Sequence, residues 1–499
     1  FYRIAHWLGA DAAQIMRIAR IETLALAFLV LGLVYAIARA IGRTRVEAAL
    51  AVATTLAVSS FMERAFTVRP EMLALTLAAI GLWVVVSGPA GAARGFIAGL
   101  FAGAAFLVTQ KAIYFDLALG VTLVGPGLLA RRPGRALASG ALLMVGWAIM
   151  LGAYVGYFAI DGAAPGAVLG RIFFGPPTEN VTTGHIVYEN LRYFVWQSVS
   201  RNVGAYALSL IGLGMVVIGL RRRPPGEQGA ALFTVAMVAL VYGVHPAPWP
   251  YNFVMAIPFL ALWSPLVLAP FGGASTRLHA LATLILIGTL ALSFPRNMGY
   301  RAHDNALQNE TARAAEGFLG AEDTYFDGVH MIPTRRHATE LWLQRSAVLE
   351  IRAGARRGDT ALIDQVMAQR PKVWILSYRT AGIAEALAPF LTRSYVRVAP
   401  NILLAGMALA PGGAVAFEAR WGGLYRLYTA GGVPDDAEVV LDGTRRRGPM
   451  RIEPGRHALA LARGGTARRY LLPADVGARA AIAEDMPEQA LLFPDAHTF

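Results

Sequence analysis

Three short stretches carry side chains able to hold a phosphate at a membrane surface. The first, MERAFTVRPEMLAL, holds Glu63, Arg64, Arg69, Pro70 and Glu71. Pro70 suits the first turn of a helix, and Glu71 would then sit at a helix N-terminus, where an anion is stabilised. The second, FLVTQKAIYF, places Gln110 and Lys111 between two apolar runs. A lysine there must snorkel or meet an anion, and with arginines nearby a phosphate is the natural partner. The third runs from His245 to Asn252, HPAPWPYN. Its prolines keep the chain extended, so His245, Trp249, Tyr251 and Asn252 offer donors and rings to a substrate. Each stretch also has a plainer reading: a capped, salt-bridged turn; an interfacial anchor with Tyr114 and Phe115 as aromatic belt; a structural histidine. Asp116, a carboxylate five residues after Lys111, is expected to pair with a neighbouring base. The long loop Asp161–Arg201 carries Asp161, Arg171, Glu179, His185, Glu189, Arg192 and Arg201 without metal-ligand spacing.

The elements that position these residues are set by composition. Of 499 residues, 56% are apolar and only 15% charged, with a mean hydropathy of +0.48. Disordered, collagen-like and coiled-coil classes are excluded, and a simple soluble enzyme is disfavoured. The absence of cysteine excludes a disulfide scaffold, an iron–sulfur site and a thiolate zinc site. The net charge of +13 would suggest nucleic acid in a soluble chain; the apolar excess makes a membrane the partner instead. Residues 1–295 hold 20 basic and 10 acidic residues, leaving 25 and 22 for the remainder.

Ten apolar segments read as membrane helices: Ile21–Ile41, Glu47–Phe61, Met72–Ser87, Gly95–Val108, Ile113–Ala130, Ala136–Ile160, Asn202–Leu220, Ala230–Val244, Phe253–Pro270 and Leu278–Ser293. Arginines follow the odd-numbered ones: Arg43 and Arg45, Arg94, Arg131 with Arg132 and Arg135, Arg221–Arg223, and Arg277. The positive-inside rule makes that face cytoplasmic. The three polar stretches, and everything after the last helix, then face outward. Phe1 also falls outside, so an odd number of spans, one in the simplest case, is expected upstream.

From residue 296 the pattern is that of soluble protein. Residues 296–411 read as α/β, with helices at Asn305–Leu319 and Ala381–Leu391, a strand and turn over Thr324–Ile332, and strands at Lys372–Ser377, Tyr395–Val398 and Ile402–Ala408. Residues 412–484 read as one small antiparallel sheet with a hairpin turn at Asp442-Gly443, and 485–499 as a tail. The expected fold is thus a polytopic α-helical membrane bundle with an extracytoplasmic α/β plus small β domain. No P-loop, dinucleotide fingerprint or zinc-protease helix is present.

Taken in order, RIARIETLALAFLVLGLVYAIARAIG, FTVRPEMLALTLAAIGLWVV, GLFAGAAFLVTQKAIYF and PYNFVMAIPFLALW resemble the GT-C superfamily of polyprenyl-phosphate-dependent glycosyltransferases. The nearest group is the protein-mannosyltransferase and aminoarabinose-transferase-like branch, and the resemblance covers residues 1–295. It implies a polyprenyl-phosphate sugar donor and a glycan, lipid or protein acceptor. Transfer would occur on the periplasmic face of a bacterial inner membrane, and no nucleic acid would be involved. Arg69 and Glu71 match the family's Arg-Pro-acidic element, with Glu where Asp is common. Lys111, with Gln110, matches the basic residue near the donor phosphate, and Tyr251 a donor-contacting aromatic, with His245 and Asn252 beside it. The family's catalytic carboxylate lies in the first external loop, which is expected upstream of residue 1; Glu71 and Glu63 are the carboxylates at hand. A divalent metal, magnesium or manganese, is compatible with such sites, and Glu63 or Glu71 could contribute to holding it. Two other functions make different demands. A lipid or solute transporter or flippase would want polar residues near mid-membrane and paired repeats, and neither is seen. A non-catalytic assembly or sensor protein would work through residues 296–499.

Overall fold

Hydropathy dictates where helices form, and prolines and caps dictate where they stop. The computed structural model describes residues 7–88, 91–174, 192–245, 250–271, 276–292, 305–339, 348, 351–354, 357, 361–411, 413–419, 421–462 and 467–479. Two units emerge. One comprises Ile18–Asn180 with Tyr188–His303; the other comprises Phe1–Arg17, Val181–Val187 and Asp304–Phe499.

The first unit is a helical membrane bundle, and each of the ten expected segments falls on helix. Among the described residues, four helices are long and apolar enough to cross a membrane: Ala12–Ala40, Gln110–Leu129, Ala136–Ile160 and Pro225–Val244. The others are shorter or broken. The segment Glu47–Phe61 is interrupted at Val58, which is extended (φ −82°, ψ 115°) and divides helix Arg45–Ala57 from helix Ser59–Arg64. The segment Phe253–Pro270 is not one span but three pieces, Pro250–Phe253, Ile257–Ala261 and Ser264–Phe271. Prolines 258, 265 and 270 fall within it. Phe253 through Ser264 are all buried, and a broken helix at membrane depth is tolerated only under such protein cover. The stretch Asp161–Arg201 is not all loop, since helices Pro165–Phe174 and Arg192–Arg201 lie at its two ends.

Small residues bring two helices into close contact. A Cβ added at Gly95, Gly99 or Gly103 of helix Ala92–Val108 would come within 2.6, 2.1 and 2.8 Å of Ser139 O, Leu143 O and Met150 Cβ of helix Pro133–Ile160. This is the glycine-lined approach that replaces hydrophobic driving force in lipid. At the arginine-bearing end, the buried Arg43 pairs with the buried Glu227, which also meets Arg223 at 3.7 Å.

The second unit has a five-stranded mixed sheet followed by two antiparallel sheets. Strands β1 (Thr324–Phe326), β2 (Arg336–His337), β3 (Val373–Ile375), β4 (Tyr395–Ala399) and β5 (Ile402–Ala405) run in the order β2-β1-β3-β5-β4. Strand β1 is parallel to β2 and β3, and the remaining pairs are antiparallel. Helix Tyr378–Ser394 starts at a capping box between Ser377 and Thr380. Beyond residue 405 there are two sheets where the alternation predicts one. The first holds β7 (Ala414–Ala419), β10 (Val439–Leu441), β11 (Thr444–Arg446) and β13 (Gly455–Leu461). The second holds β6 (Met407–Leu409), β8 (Gly423–Tyr428), β9 (Pro434–Asp435), β12 (Met450–Ile452) and β14 (Arg469–Pro473). Phe417, Val439 and Leu459 of one share a core with Leu409, Tyr425 and Leu471 of the other, so each sheet has a buried face that one sheet alone would leave wet. Asp442 and Gly443 make the hairpin turn with φ of 49° and 79°, the pair of positive values a two-residue hairpin demands. The expected boundary at Ser293–Pro295 and the tail 485–499 lie outside the described residues.

Candidate functional site

Arg69 is the extended residue before helix Pro70–Val86, and Pro70 opens that helix. Proline has no N–H to leave unpaired at that position. Glu71 follows in the first turn and is buried. Lys111 sits in a single 3₁₀ turn, Gln110–Ala112, between two apolar helices. Tyr251 lies in the short helix Pro250–Phe253. Far apart in sequence, these residues meet in space. Lys111 Nζ is 2.7 Å from Glu71 Oε1. The Arg69 guanidinium carbon is 4.0 Å from the centroid of the Tyr251 ring, and Lys111 Nζ is 4.4 Å from the same centroid. Both cations are within the range of cation–π attraction.

A neutral hydrogen-bonded group adjoins them. Asn252 Nδ2 donates to His245 Nε2 at 2.8 Å. That leaves His245 Nδ1 to donate to the Tyr114 hydroxyl at 2.7 Å. Burial, and then the Lys111 charge, push the His245 imidazole down to about 4, so it is uncharged at neutral pH. His245 and Asn252 therefore use polar atoms on each other and on Tyr114. Gln110 Nε2 donates to the carbonyl of Ile172, tying the 3₁₀ turn to helix Pro165–Phe174.

Glu63 meets Arg201 at 3.8 Å, in a pair of its own. The base that the sequence position of Asp116 suggested as its partner is not found among the described residues. Asp116 Oδ2 accepts from the Trp147 indole N–H at 3.0 Å, while its buried Oδ1 finds no partner among the described residues. Trp249, Glu179, His185 and Glu189 lie outside the described residues. A divalent metal needs several oxygen ligands. Among the described residues no three His, Asp or Glu side chains come together, and both Glu63 and Glu71 are engaged with cations. This donor set does not fit a metal held by Glu63 and Glu71.

One cluster was not singled out from the sequence. At the end of β1, the buried Asp327 accepts the backbone N–H groups of Val329, His330 and Met331 and pairs with His337 Nε2 at 3.0 Å. Burial opposes its ionisation, but His337 and the amides outweigh it and hold the carboxyl below its ordinary value. The His330 and His337 rings stack at 3.8 Å. The signal was an Asp-Gly pair closing a strand, with two histidines downstream.

The three converging loops, the broken and buried Tyr251 segment and the α/β-bearing C-terminal unit define a polytopic helical membrane protein. Its fold is similar to that of ArnT from Cupriavidus metallidurans in the apo state. The match has a TM-score of 0.50 at 16% identity and covers 77% of this chain and 83% of that one. The archaeal oligosaccharyltransferase AglB from Archaeoglobus fulgidus, in complex with an inhibitory peptide and a dolichol-phosphate, matches at a TM-score of 0.41 and 13% identity. It covers 79% of this chain and 63% of AglB. The likeness to the ArnT structure is one of fold. Residues 356–404, in the C-terminal unit, match a family described as "Domain of unknown function (DUF7056)". No curated protein sequence matches the chain.

Proposed function

We propose that this protein is a membrane glycosyltransferase that moves a sugar from a polyprenyl-phosphate donor to an acceptor. The reaction would take place on the periplasmic face of a bacterial inner membrane. The observation that carries this reading is the meeting of Arg69 and Lys111 on the single ring of Tyr251, with Glu71 holding Lys111. In the transfer, an acceptor oxygen bonds to the anomeric carbon as the bond to the phosphate oxygen breaks. The electron pair leaves with the phosphate, so negative charge grows there. Preorganised cations at that position lower the barrier. The acceptor proton passes to a base. Glu71 and Glu63 each already serve an ion pair, so neither is assigned that role.

The test is transfer by purified protein in detergent, with a radiolabelled polyprenyl-phosphate sugar and a cell-envelope extract as acceptor. Arg69→Ala is expected to fold and to lose transfer by about 10²–10³-fold, the cost of removing one charge-stabilising donor. Wild-type rates in that variant would overturn the assignment of Arg69. Donor-independent solute flux in proteoliposomes, with no transfer, would favour a transporter.

A further inference from the structure

The C-terminal unit contains a cleft of about 460 Å³, within the range of about 300–1,000 Å³ typical of small-molecule sites. Four segments far apart in sequence build it, around Asp323, Lys372, Trp421 and Asp475. Lys372, at the start of β3 and 5% exposed, donates to Asp323 Oδ2 and to Asp475 Oδ2, each at 2.7 Å. Trp421 lines the same cleft beside Gly422 and Gly423. Its indole N–H donates to the carbonyl of Arg370 at 2.5 Å, and its ring meets Tyr395 edge-on at 5.7 Å. The Arg370 carbonyl also accepts from Thr324 Oγ1 at 3.0 Å. Arg370 itself has φ of 50°, a left-handed conformation that costs a non-glycine residue energy and is found where surroundings enforce it. The strained turn at Arg370 thus fixes the indole and sets Lys372 two residues on.

We propose that this cleft binds a saccharide. Lys372 has three N–H groups and spends two on the carboxylates, which leaves one to donate. Asp323 and Asp475 each bind it through Oδ2, and both retain acceptor capacity. The ammonium offsets one of the two carboxylate charges and occupies one oxygen of each, so the remaining carboxylate oxygens are open to hydroxyl donors. Trp421 adds a flat apolar wall held in one orientation. A pyranose ring presents this complement: hydroxyls that donate and accept around its rim, and C–H groups on its faces. The site does not rest on the transfer reaction proposed above, and its test is separate.

Isothermal titration of the purified full chain in detergent with methyl pyranosides of glucose, mannose and galactose tests the proposal. At least one is expected to saturate in the millimolar range. Asp475→Asn, at an exposed position, and Trp421→Ala should each weaken it about tenfold, equivalent to about 1.4 kcal/mol, while Trp421→Phe keeps most of the affinity. Matching thermal melts show that the variants are folded. The proposal is overturned if no pyranoside binds up to about 50 mM, where a site with a dissociation constant of a few millimolar would be nearly saturated. It is overturned equally if binding survives both Asp475→Asn and Trp421→Ala unchanged, or if lysine methyl ester binds and displaces the sugar. Pyranoside binding by a protein that transfers nothing would count against the transferase reading alone.

Discussion

The ion pair between Lys111 and Glu71 lets a structural role be separated from a catalytic one. Glu71's side chain is 5% exposed and Lys111's 30%, with 2.7 Å between the charged atoms. Replacing Lys111 by Met strands a buried carboxylate, one of whose oxygens already lacks a partner among the described residues. Breaking a buried pair from one side costs about 3–5 kcal/mol, and the partial exposure of Lys111 puts this case near the lower end. Glu71→Gln in the same protein removes the stranded charge. The double variant Lys111→Met/Glu71→Gln should therefore regain stability to within about 1 kcal/mol of wild type, because the two sites couple directly. Transfer behaves differently. If Lys111 meets the donor phosphate, both Lys111→Met and the double variant lose about 10²–10³-fold in turnover, the range for one lost charge-stabilising group. The assays are thermal unfolding in detergent and release of polyprenyl phosphate, run on all four members of the cycle. A double variant that recovers stability and turnover together would show Lys111 to be only half of a salt bridge and would refute the reasoning.

Two further outcomes are expected. The folded His245 titrates near 4, below its ordinary value of 6.5, so between these values the unfolded chain binds more protons. His245 then contributes stability that is fully present above about pH 6.5 and is lost as pH falls toward 4; the melting temperature should drop across that window, and His245→Gln should flatten the drop. In the helix pair, Gly99→Ala would set a Cβ 2.1 Å from the Leu143 carbonyl and should destabilise by about 2 kcal/mol, as overpacking does. Gly152→Ala, with nothing within 4 Å, should leave the melt unchanged.

How far the sequence could be read depended on whether a feature is local. Helices such as Ala92–Val108 and Ile113–Leu129 are long apolar runs, and their limits follow from composition to within a few residues. The Asp442-Gly443 turn is likewise local, and its two positive φ values are those its residues favour. The break-up of 253–271 was harder to see. Its prolines are visible, but nothing in a hydropathy run says that neighbouring helices will cover the freed backbone. Tertiary pairing was harder still. Lys111 could be recognised as a cation needing an anion, yet Glu71 and the Tyr251 ring reach it only because three loops meet. Asp116 shows the converse: its charge was legible, but its indole partner on the next helix was not.

The placement of both cations on one aromatic ring has a consequence for the proposed chemistry. Two like charges brought together repel, and each must be held without being neutralised if it is to meet an incoming phosphate. Glu71 offsets one charge and stays buried beside Lys111. Tyr251 holds Arg69 and Lys111 through the negative face of its ring without carrying a formal charge. With His245 uncharged, the formal charges of Arg69, Lys111 and Glu71 sum to +1. A sugar–phosphate diester enters with one negative charge and departs as a monoester that carries about 1.5–2 at pH 7. The cluster therefore roughly balances the bound donor and attracts the additional charge that appears only as the sugar leaves. A neutral substitute for Tyr251 that lacks the ring, such as Tyr251→Leu, would release the cations from this arrangement and should lower turnover more than donor affinity. That split is what transition-state stabilisation requires and what simple donor capture would not produce.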